Sequence, residues 1–390
     1  MPRPTTRCQA CGARSLMPFF ELQDLPVQSD VLLSSRAVAL SFPRGGVRLG
    51  FCRMCGFIQN QLFDERCLEY RDCGPGATPS RADRGYEAGL AEELIDRYNL
   101  RGKSVLEIGC GDGSFLEQLC AAGGNLGTGI DPAAPGVPSA ALPVEYIRDF
   151  FGADHFSHHA DFIYSRHVLE ETKAVGDAVS LLRRAVGSNR EPVVFCEVAD
   201  VRKMLIDLAL WDFSYAQCSY FSAGSLSRLF RRNAFDVFDL RRRRDDCSLL
   251  IDAVVSSGDP EPAWEIEHDL DELARLVAYF RDYSADRLHS WSTRLKRLRD
   301  DGGRVVLWGA EPRAVSFVTS LGVEDDIEYV IDPRPERQGR YLPCTGHETA
   351  PPDILREYRP DLVIAMDRGE LPFIEAELGR IGVTAEVASI

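Results

Sequence analysis

The chain has 390 residues and a formal charge of −15, from 60 Asp and Glu against 45 Lys and Arg. At about 100–200 residues per domain this length predicts two or three domains, and 45% apolar with 27% charged residues excludes a disordered or fibrous chain. The acidic balance repels phosphate backbones and anionic lipid, so neither general nucleic-acid binding nor membrane-surface binding is expected.

Met1–Leu16 carries arginines and cysteines but no apolar core of a signal peptide. Nowhere do 18 apolar residues run together, so no membrane span is predicted. A cytoplasmic, reducing compartment is the expectation. There the twelve cysteines suit metal ligands or core positions better than disulfides.

Four cysteines have a pattern. Cys8-Gln9-Ala10-Cys11-Gly12 and Cys52-Arg53-Met54-Cys55-Gly56 are two C-x-x-C-G knuckles. Two intervening residues let a tight turn aim both sulfurs at one ion, and the glycine lets the backbone turn beneath it. Together they make a closed Cys₄ set, the form of a structural zinc site, with redox or core C-x-x-C pairs as the alternative. Between them Val38–Phe42 and Val47–Phe51 read as β-like. So few apolar residues make no core alone, so the metal is expected to hold a module over residues 1–68 together. The other eight cysteines (67, 73, 110, 120, 196, 218, 247 and 344) show no ligand spacing, and most of them read as small buried hydrophobes.

The segment 86–98 has helical apolar spacing. Next, Ser104–Ile108 reads as a strand running into Gly109-Cys110-Gly111-Asp112-Gly113, then a helix from Ser114 to Ala122 and a strand Leu126–Ile130 ending on Asp131 and Pro132. The pattern is E-x-G-x-G-x-G with an acid after the second strand. The glycines admit a ligand close to the backbone, and a carboxylate at Asp131 can take both hydroxyls of a ribose. A dinucleotide fold would place pyrophosphate at this turn, where Glu107 and Asp112 would repel it. Those acids suit a cationic ligand with an amino-acid portion, S-adenosylmethionine (SAM). The loop resembles motif I of class I methyltransferases.

The rest of a seven-stranded methyltransferase sheet follows. Asp149 and Phe150 are placed to hold the adenine amino group and ring, or are a loop acid beside core aromatics. Asp161–His167 reads as the fourth strand, carrying Arg166 beneath the cofactor, and Pro192–Val198 as the fifth. Helix Ser225–Phe230 precedes strands Phe235–Leu240 and Cys247–Val255, with the arginine run 241–244 expected as a solvated turn between them. His155, His158 and His159 read as a surface loop. His167 lies near the cofactor pocket with its role open, and Trp211 and Phe213 suit a core or a substrate wall.

A Ser/Gly/Pro-rich linker at 256–262 ends a domain taken as 69–258. The unit 259–390 opens with a long polar helix, about Trp264–Arg299. A second α/β unit follows, with strand Arg304–Ala310, helix Pro312–Leu321, and strands Ile327–Asp332 and Asp361–Met366. Its turn has Glu311 and Pro312, which would crowd a pyrophosphate, so a cofactor-free Rossmann-like domain is expected.

Zinc knuckles, methyltransferase domain and small α/β domain, in that order, resemble the nucleotide-deoxysugar C-methyltransferases. Specific matches include CSYFSAGSLSRLF at Cys218–Phe230, VVLWGA at Val305–Ala310 and DPRPERQGRYLPCTG at Asp332–Gly346. The resemblance implies methylation of a carbon beside the ketone of a nucleoside-diphosphate 4-keto sugar, through an enolate that attacks the methyl group in line. It also implies a Glu-His pair in Y-x-E-H or Y-E-H before S-Y-F, a histidine in V-L-x-H after the fourth strand, and a tyrosine near the end of the zinc module. Here the first motif reads Tyr215-Ala216-Gln217, the second Val168-Leu169-Glu170-Glu171, and Tyr70-Arg71-Asp72-Cys73 stands near the third.

Gln217 has no basic group. Tyr215, Gln217 and Glu171 stand at the catalytic positions: Tyr215 survives from the family pattern, and Glu171 can serve as base if desolvation raises its pKa. Two functions stay open. One is a SAM-dependent C-methyltransferase of specialised metabolism acting on a nucleotide-linked keto sugar or related small molecule. The other is a SAM-binding homologue with a different reaction or a non-catalytic role. A monomer is expected.

Overall fold

The computed structural model describes residues 5–68, 81–138, 141–258 and 262–390. Tyr70–Cys73 and the middle of the linker at 256–262 lie outside the described residues.

At the N-terminus β1 (Leu16–Pro26), β2 (Arg44–Cys52) and β3 (Ile58–Asn60) form an antiparallel sheet. The segment expected as a strand at Val38–Phe42 is instead the helix α1 (Arg36–Leu40) and the turn after it, because Ser35 caps it by accepting from the Val38 amide. So short an apolar run does not distinguish helix from strand, and the cap decides.

The central unit follows α2 (Arg81–Tyr98) with β4 (Ser104–Ile108), α3 (Ser114–Gly123), β5 (Leu126–Ile130), β6 (Val144–Ile147), β7 (Phe162–Arg166), α4 (Val175–Val186) and β8 (Val193–Ala199). Then come α5 (Val201–Ile206), β9 (Ser219–Tyr220), α6 (Ala223–Arg232), β10 (Phe235–Arg243) and β11 (Ser248–Val255). The sheet order is β10-β11-β8-β7-β4-β5-β6. β4 to β8 are parallel, and β11 runs antiparallel to both β8 and β10. The order in which the chain adds strands reverses at β4, flanked by β5 and β7. A crevice therefore opens at the carboxyl ends of these strands, where ligands of such sheets bind.

The C-terminal unit has α7 (Leu270–Asp300), β12 (Val305–Trp308), α8 (Pro312–Leu321), β13 (Tyr329–Ile331), β14 (Thr349–Ala350), β15 (Leu362–Ala365) and β16 (Glu386–Ser389). Its parallel sheet has the order β14-β13-β12-β15-β16. Asp332, after β13, is buried and engaged by Arg334 (2.7 Å), which also pairs with Glu311 at 2.5 Å.

The three units interlock. β9 pairs with β3, so the N-terminal sheet takes its fourth strand from the C-S-Y-F segment. Phe20, Phe213 and Phe280, one from each unit, meet in a single aromatic cluster. Trp211 packs on Phe317 of α8 with ring centroids 4.9 Å apart, and its Nε1 donates to Ser320.

The arginine run departs from expectation. Arg241–Arg243 belong to β10 rather than to a solvated turn, and each is ion-paired: Arg241 with Asp239 and Asp252, Arg242 with Asp200, Arg243 with Glu93. Asp252 and Asp200 are buried acids on neighbouring elements, and they draw the guanidinium groups inward. Among the described residues no helix is long and apolar enough to cross a membrane.

Candidate active site

The four knuckle cysteines converge. Their sulfurs all lie within 4.8 Å of one another, with Cys8–Cys55 at 3.6 Å and Cys11–Cys52 at 3.7 Å. Four sulfurs about 2.3 Å from a central ion at tetrahedral angles stand about 3.8 Å apart, so the donor set fits a metal. The two knuckles share one geometry. Gly12 and Gly56 have φ of 76° and 77°, and their amides donate to the Cys8 and Cys52 carbonyls at 2.8 Å. Both knuckles dock on the central unit. The Gly176 amide of α4 donates to the Gln9 carbonyl, and Arg228 of α6 donates to the Cys55 carbonyl. No sequence pattern singled out Arg228.

The glycine loop after β4 is shaped by packing on one side and by space on the other. A Cβ on Gly109 would strike Val168 at 2.1 Å, and one on Gly113 would strike the Tyr146 hydroxyl at 2.0 Å. Gly111, at φ 53°, has nothing within 4 Å of that position and faces the crevice. The Asp131 carboxylate accepts from the Gly111 amide (3.0 Å) and the Ala133 amide (2.7 Å), one on each oxygen. Asp131 and the half-buried Pro132 thereby stand at the rim. Asp112 is exposed and accepts from the Ser114 amide at the start of α3.

Glu107 behaves differently from the expectation of a ready anion. It is buried, Tyr164 donates to it at 3.1 Å, and burial, opposed by Arg166, pushes its carboxyl up to about 8. At neutral pH it is largely protonated, so Asp112 and Asp131 face a cation first. Arg166 is spoken for: Nε donates to Glu197 at 2.8 Å, the outer nitrogens reach Glu87 at 3.3 Å, and the guanidinium lies 4.1 Å above Phe115. Asp149 and Phe150 follow β6 and are exposed, with Asp149 accepting from the Phe150 amide.

His155 is not at the surface. It is buried, accepts from the Gly152 amide on Nδ1, and points Nε2 at Asp149, 3.7 Å away. A helical turn at Ala153–His155 folds it inward onto Phe151. His159 is exposed. Of the cysteines without ligand spacing, 110, 120, 196, 218 and 344 are buried, while Cys67 and Cys247 are exposed on tight turns.

The positions at the catalytic motifs separate. Tyr215 is buried, and its hydroxyl is held by the Asp64 backbone, accepting from the amide at 2.9 Å and donating to the carbonyl at 3.3 Å. Gln217 is half-buried, and its backbone carbonyl accepts from the Tyr220 hydroxyl at 2.7 Å. Glu171 follows β7 in the turn that begins at Val168. It is reached by solvent yet surrounded by protein, as a group in the wall of a crevice is. Burial, then the charges of Asp30, Glu170 and Asp131, push its carboxyl up to about 7. Asp30 comes from the N-terminal unit and Asp131 from the end of β5, so acids of two units act on Glu171.

Sequence reasoning left His167 open and did not single out Glu170 or Glu197. His167 Nδ1 lies 3.1 Å from Glu170 Oε1, and Nε2 lies 3.8 Å from Glu197 Oε1. Glu197 also accepts from Tyr86 at 2.6 Å. The available signal was the place of His167, at the carboxyl end of a strand beside the switch point.

Sheet order, glycine loop and terminal acid together define a class I SAM-dependent methyltransferase. A family model described as a methyltransferase domain matches residues 81–240, and one described as a C-methyltransferase C-terminal domain matches residues 262–367. The chain thus has the architecture of the nucleotide-sugar C-methyltransferase family and is a SAM-dependent C-methyltransferase. Among curated proteins none matches it significantly. Similar solved structures include magnesium protoporphyrin IX methyltransferase from Synechocystis PCC 6803, at 17% identity over 47% of this chain and 90% of that one, TM-score 0.35. Another is N,N-8-amino-8-demethyl-D-riboflavin dimethyltransferase from Streptomyces davawensis, at 18% identity over 44% and 55%, TM-score 0.35. The carbon methyltransferase CurJ is 14% identical over 46% and 56%, TM-score 0.34.

Proposed function

We propose that this enzyme methylates a carbon next to a ketone in a nucleotide-linked keto sugar, with Glu171 as the base and zinc as the structural ion of the Cys₄ site. The observation that carries the reading is the place of Glu171, in the turn whose first residue, Val168, packs against Gly109 of the glycine loop. There the surrounding protein and the charges of Asp30, Glu170 and Asp131 push its carboxyl up to about 7. A proton next to a ketone is weakly acidic, and a base matched to neutral pH removes it best.

SAM supplies an electrophilic methyl group. The residues fit it: Gly111 leaves room for a close approach, Asp131 offers carboxylate oxygens for ribose hydroxyls, and Asp112 favours positive charge, as Glu107 does once a cation draws off its proton. The chain's own work is to hold the acceptor carbon against Glu171, take its proton, and exclude water from the enolate. The −15 charge leaves an anionic nucleotide to be met locally, by arginines rather than by the overall field.

Incubation with SAM and nucleoside-diphosphate 4-keto sugars tests this. A gain of about 14 Da (one CH₂ added) with stoichiometric S-adenosylhomocysteine is the expected result. Tight SAM binding with no methylated product would favour the second reading, a cofactor-binding homologue. That reading draws on Tyr215 being tied to backbone and on Gln217 having no basic group.

A further inference from the structure

We infer that His167, positioned by Glu170, is a second catalytic group, an imidazolium that donates a hydrogen bond from Nε2 to the ketone oxygen as the enolate forms. This rests on the ketone-acceptor reading above.

His167 ends β7 with φ of 55°, a left-handed conformation that non-glycine residues adopt at a cost and that clusters at functional sites. Its amide donates to the Glu197 carbonyl at 2.9 Å, which holds the backbone in that shape. The ring is held on one side only. Nδ1 bonds to Glu170, itself 2% exposed and fixed by the Ala199 amide at 2.8 Å. The Glu170 carbonyl accepts from the amides of Cys218 and Ser219, so the pair is braced by the segment that carries Tyr215 and Gln217. Nε2, at 3.8 Å from Glu197, is beyond hydrogen-bond reach and has room to donate elsewhere. The side chain is 44% exposed although protein surrounds it, so it too lines the crevice.

The neighbours place it in the right spot. Val168, the next residue, fills the space against Gly109 of the cofactor loop. Glu171 lies in the same turn, and the His167 charge acts on its carboxyl. Base and donor therefore sit about one turn apart on a single segment, beside the cofactor loop.

The charged groups around the ring are Glu170 and Glu171 in the turn, Glu197 on β8 with Tyr86 behind it, and Arg166 on β7. Burial opposes the imidazolium and Arg166 repels it, yet Glu170 and Glu197 prevail, and the pKa is raised. The step balances: Glu171 takes the proton, the C–H pair becomes the C=C bond, and the carbonyl π pair moves to oxygen. His167 Nε2–H bonds that oxygen, and the carbonyl re-forms as the carbon takes the methyl group, whose bond to the sulphonium breaks with its electron pair going to sulfur to leave a neutral thioether.

The full chain with SAM and a keto-sugar acceptor tests the assignment. His167→Gln should lower kcat about 100-fold, with SAM affinity changed less than threefold. Glu170→Gln removes one carboxylate from the imidazolium and should move the alkaline limb of the kcat/KM profile to lower pH. An NMR titration of His167 in the unaltered protein should show a midpoint above 6.5 that falls in Glu170→Gln. Wild-type turnover retained in His167→Gln overturns the assignment while leaving the ketone reading intact, as does an alkaline limb unmoved by Glu170→Gln. If the unaltered enzyme makes no product from any keto sugar, the ketone reading fails and the assignment falls with it. Should His167→Gln not fold, the titration and the Glu170→Gln profile decide.

Discussion

The phenol of Tyr215 accepts a hydrogen bond from the Asp64 backbone amide at 2.9 Å, joining the central unit to the end of the N-terminal one. Its ring packs on Phe63, with centroids 5.5 Å apart, and fills the space beside Gly45 so fully that a Cβ there would lie 2.3 Å from a ring carbon. A hydroxyl so engaged is a clasp, and burial pushes its pKa further up, away from any role as base at neutral pH.

Tyr215→Phe should therefore cost about 1 kcal/mol of stability and change kcat less than threefold. Urea unfolding and initial rates on the same preparation check both. A loss of kcat well beyond that, with stability intact, would return Tyr215 to the catalytic set.

The metal site predicts a coupled outcome. Cys8, Cys52, Cys55 and Phe57 share one apolar cluster with Leu106, Val194 and Phe221 of the central unit. Cys52→Ser should lose the ion, read by elemental analysis, and also lower the Tm of the whole chain, because the module's sheet includes β9. Unaltered protein should hold about one zinc per chain. Metal loss with an unchanged Tm would show the knuckles to be dispensable to the fold.

Much of this was legible in the sequence. Strands read at Ser104–Ile108 and Asp161–His167 are rich in apolar residues, and Leu126–Ile130 ends on an acid; the structure places all three within a residue or so. The cysteine knuckles converge because a C-x-x-C turn is a local geometry. What stayed hidden was tertiary. Nothing local in Ser219–Tyr220 says that it completes a sheet begun 200 residues earlier, and nothing in Phe20, Phe213 or Phe280 says that they meet. The arginine run misled for the same reason: its charge reads as solvated until Asp252 and Asp200 are placed opposite it. Glu107 read as an anion because a sequence carries no burial.

Glu107 has a measurable consequence. A carboxyl raised to about 8 contributes stability below the ordinary carboxyl pKa and loses it as pH rises through 8. A cationic cofactor favours the ionised form, so SAM binding should release part of a proton at pH 7. The affinity should tighten as pH rises toward 8, by at most about tenfold per pH unit. Calorimetry in buffers of different ionisation enthalpy reads the proton directly, and Glu107→Gln should reduce the release to the share that Glu171 supplies. A pH-independent affinity would mean that Glu107 stays protonated beside the cofactor.

Glu171 sets the last expectation. Its carboxyl, at about 7 in the free protein, must be ionised to accept a proton, so kcat/KM should fall as pH drops below that value, with a slope of one. A bound sulphonium favours the carboxylate, which places the limb for the SAM complex at or below 7. Glu171→Gln should reduce kcat about 10²–10⁴-fold and remove the limb, while SAM still binds. Glu171→Asp, shorter by one methylene, should keep the limb and recover part of the rate. An unchanged rate in Glu171→Gln would exclude it as the base, and the proton would have to leave by another group in the crevice wall.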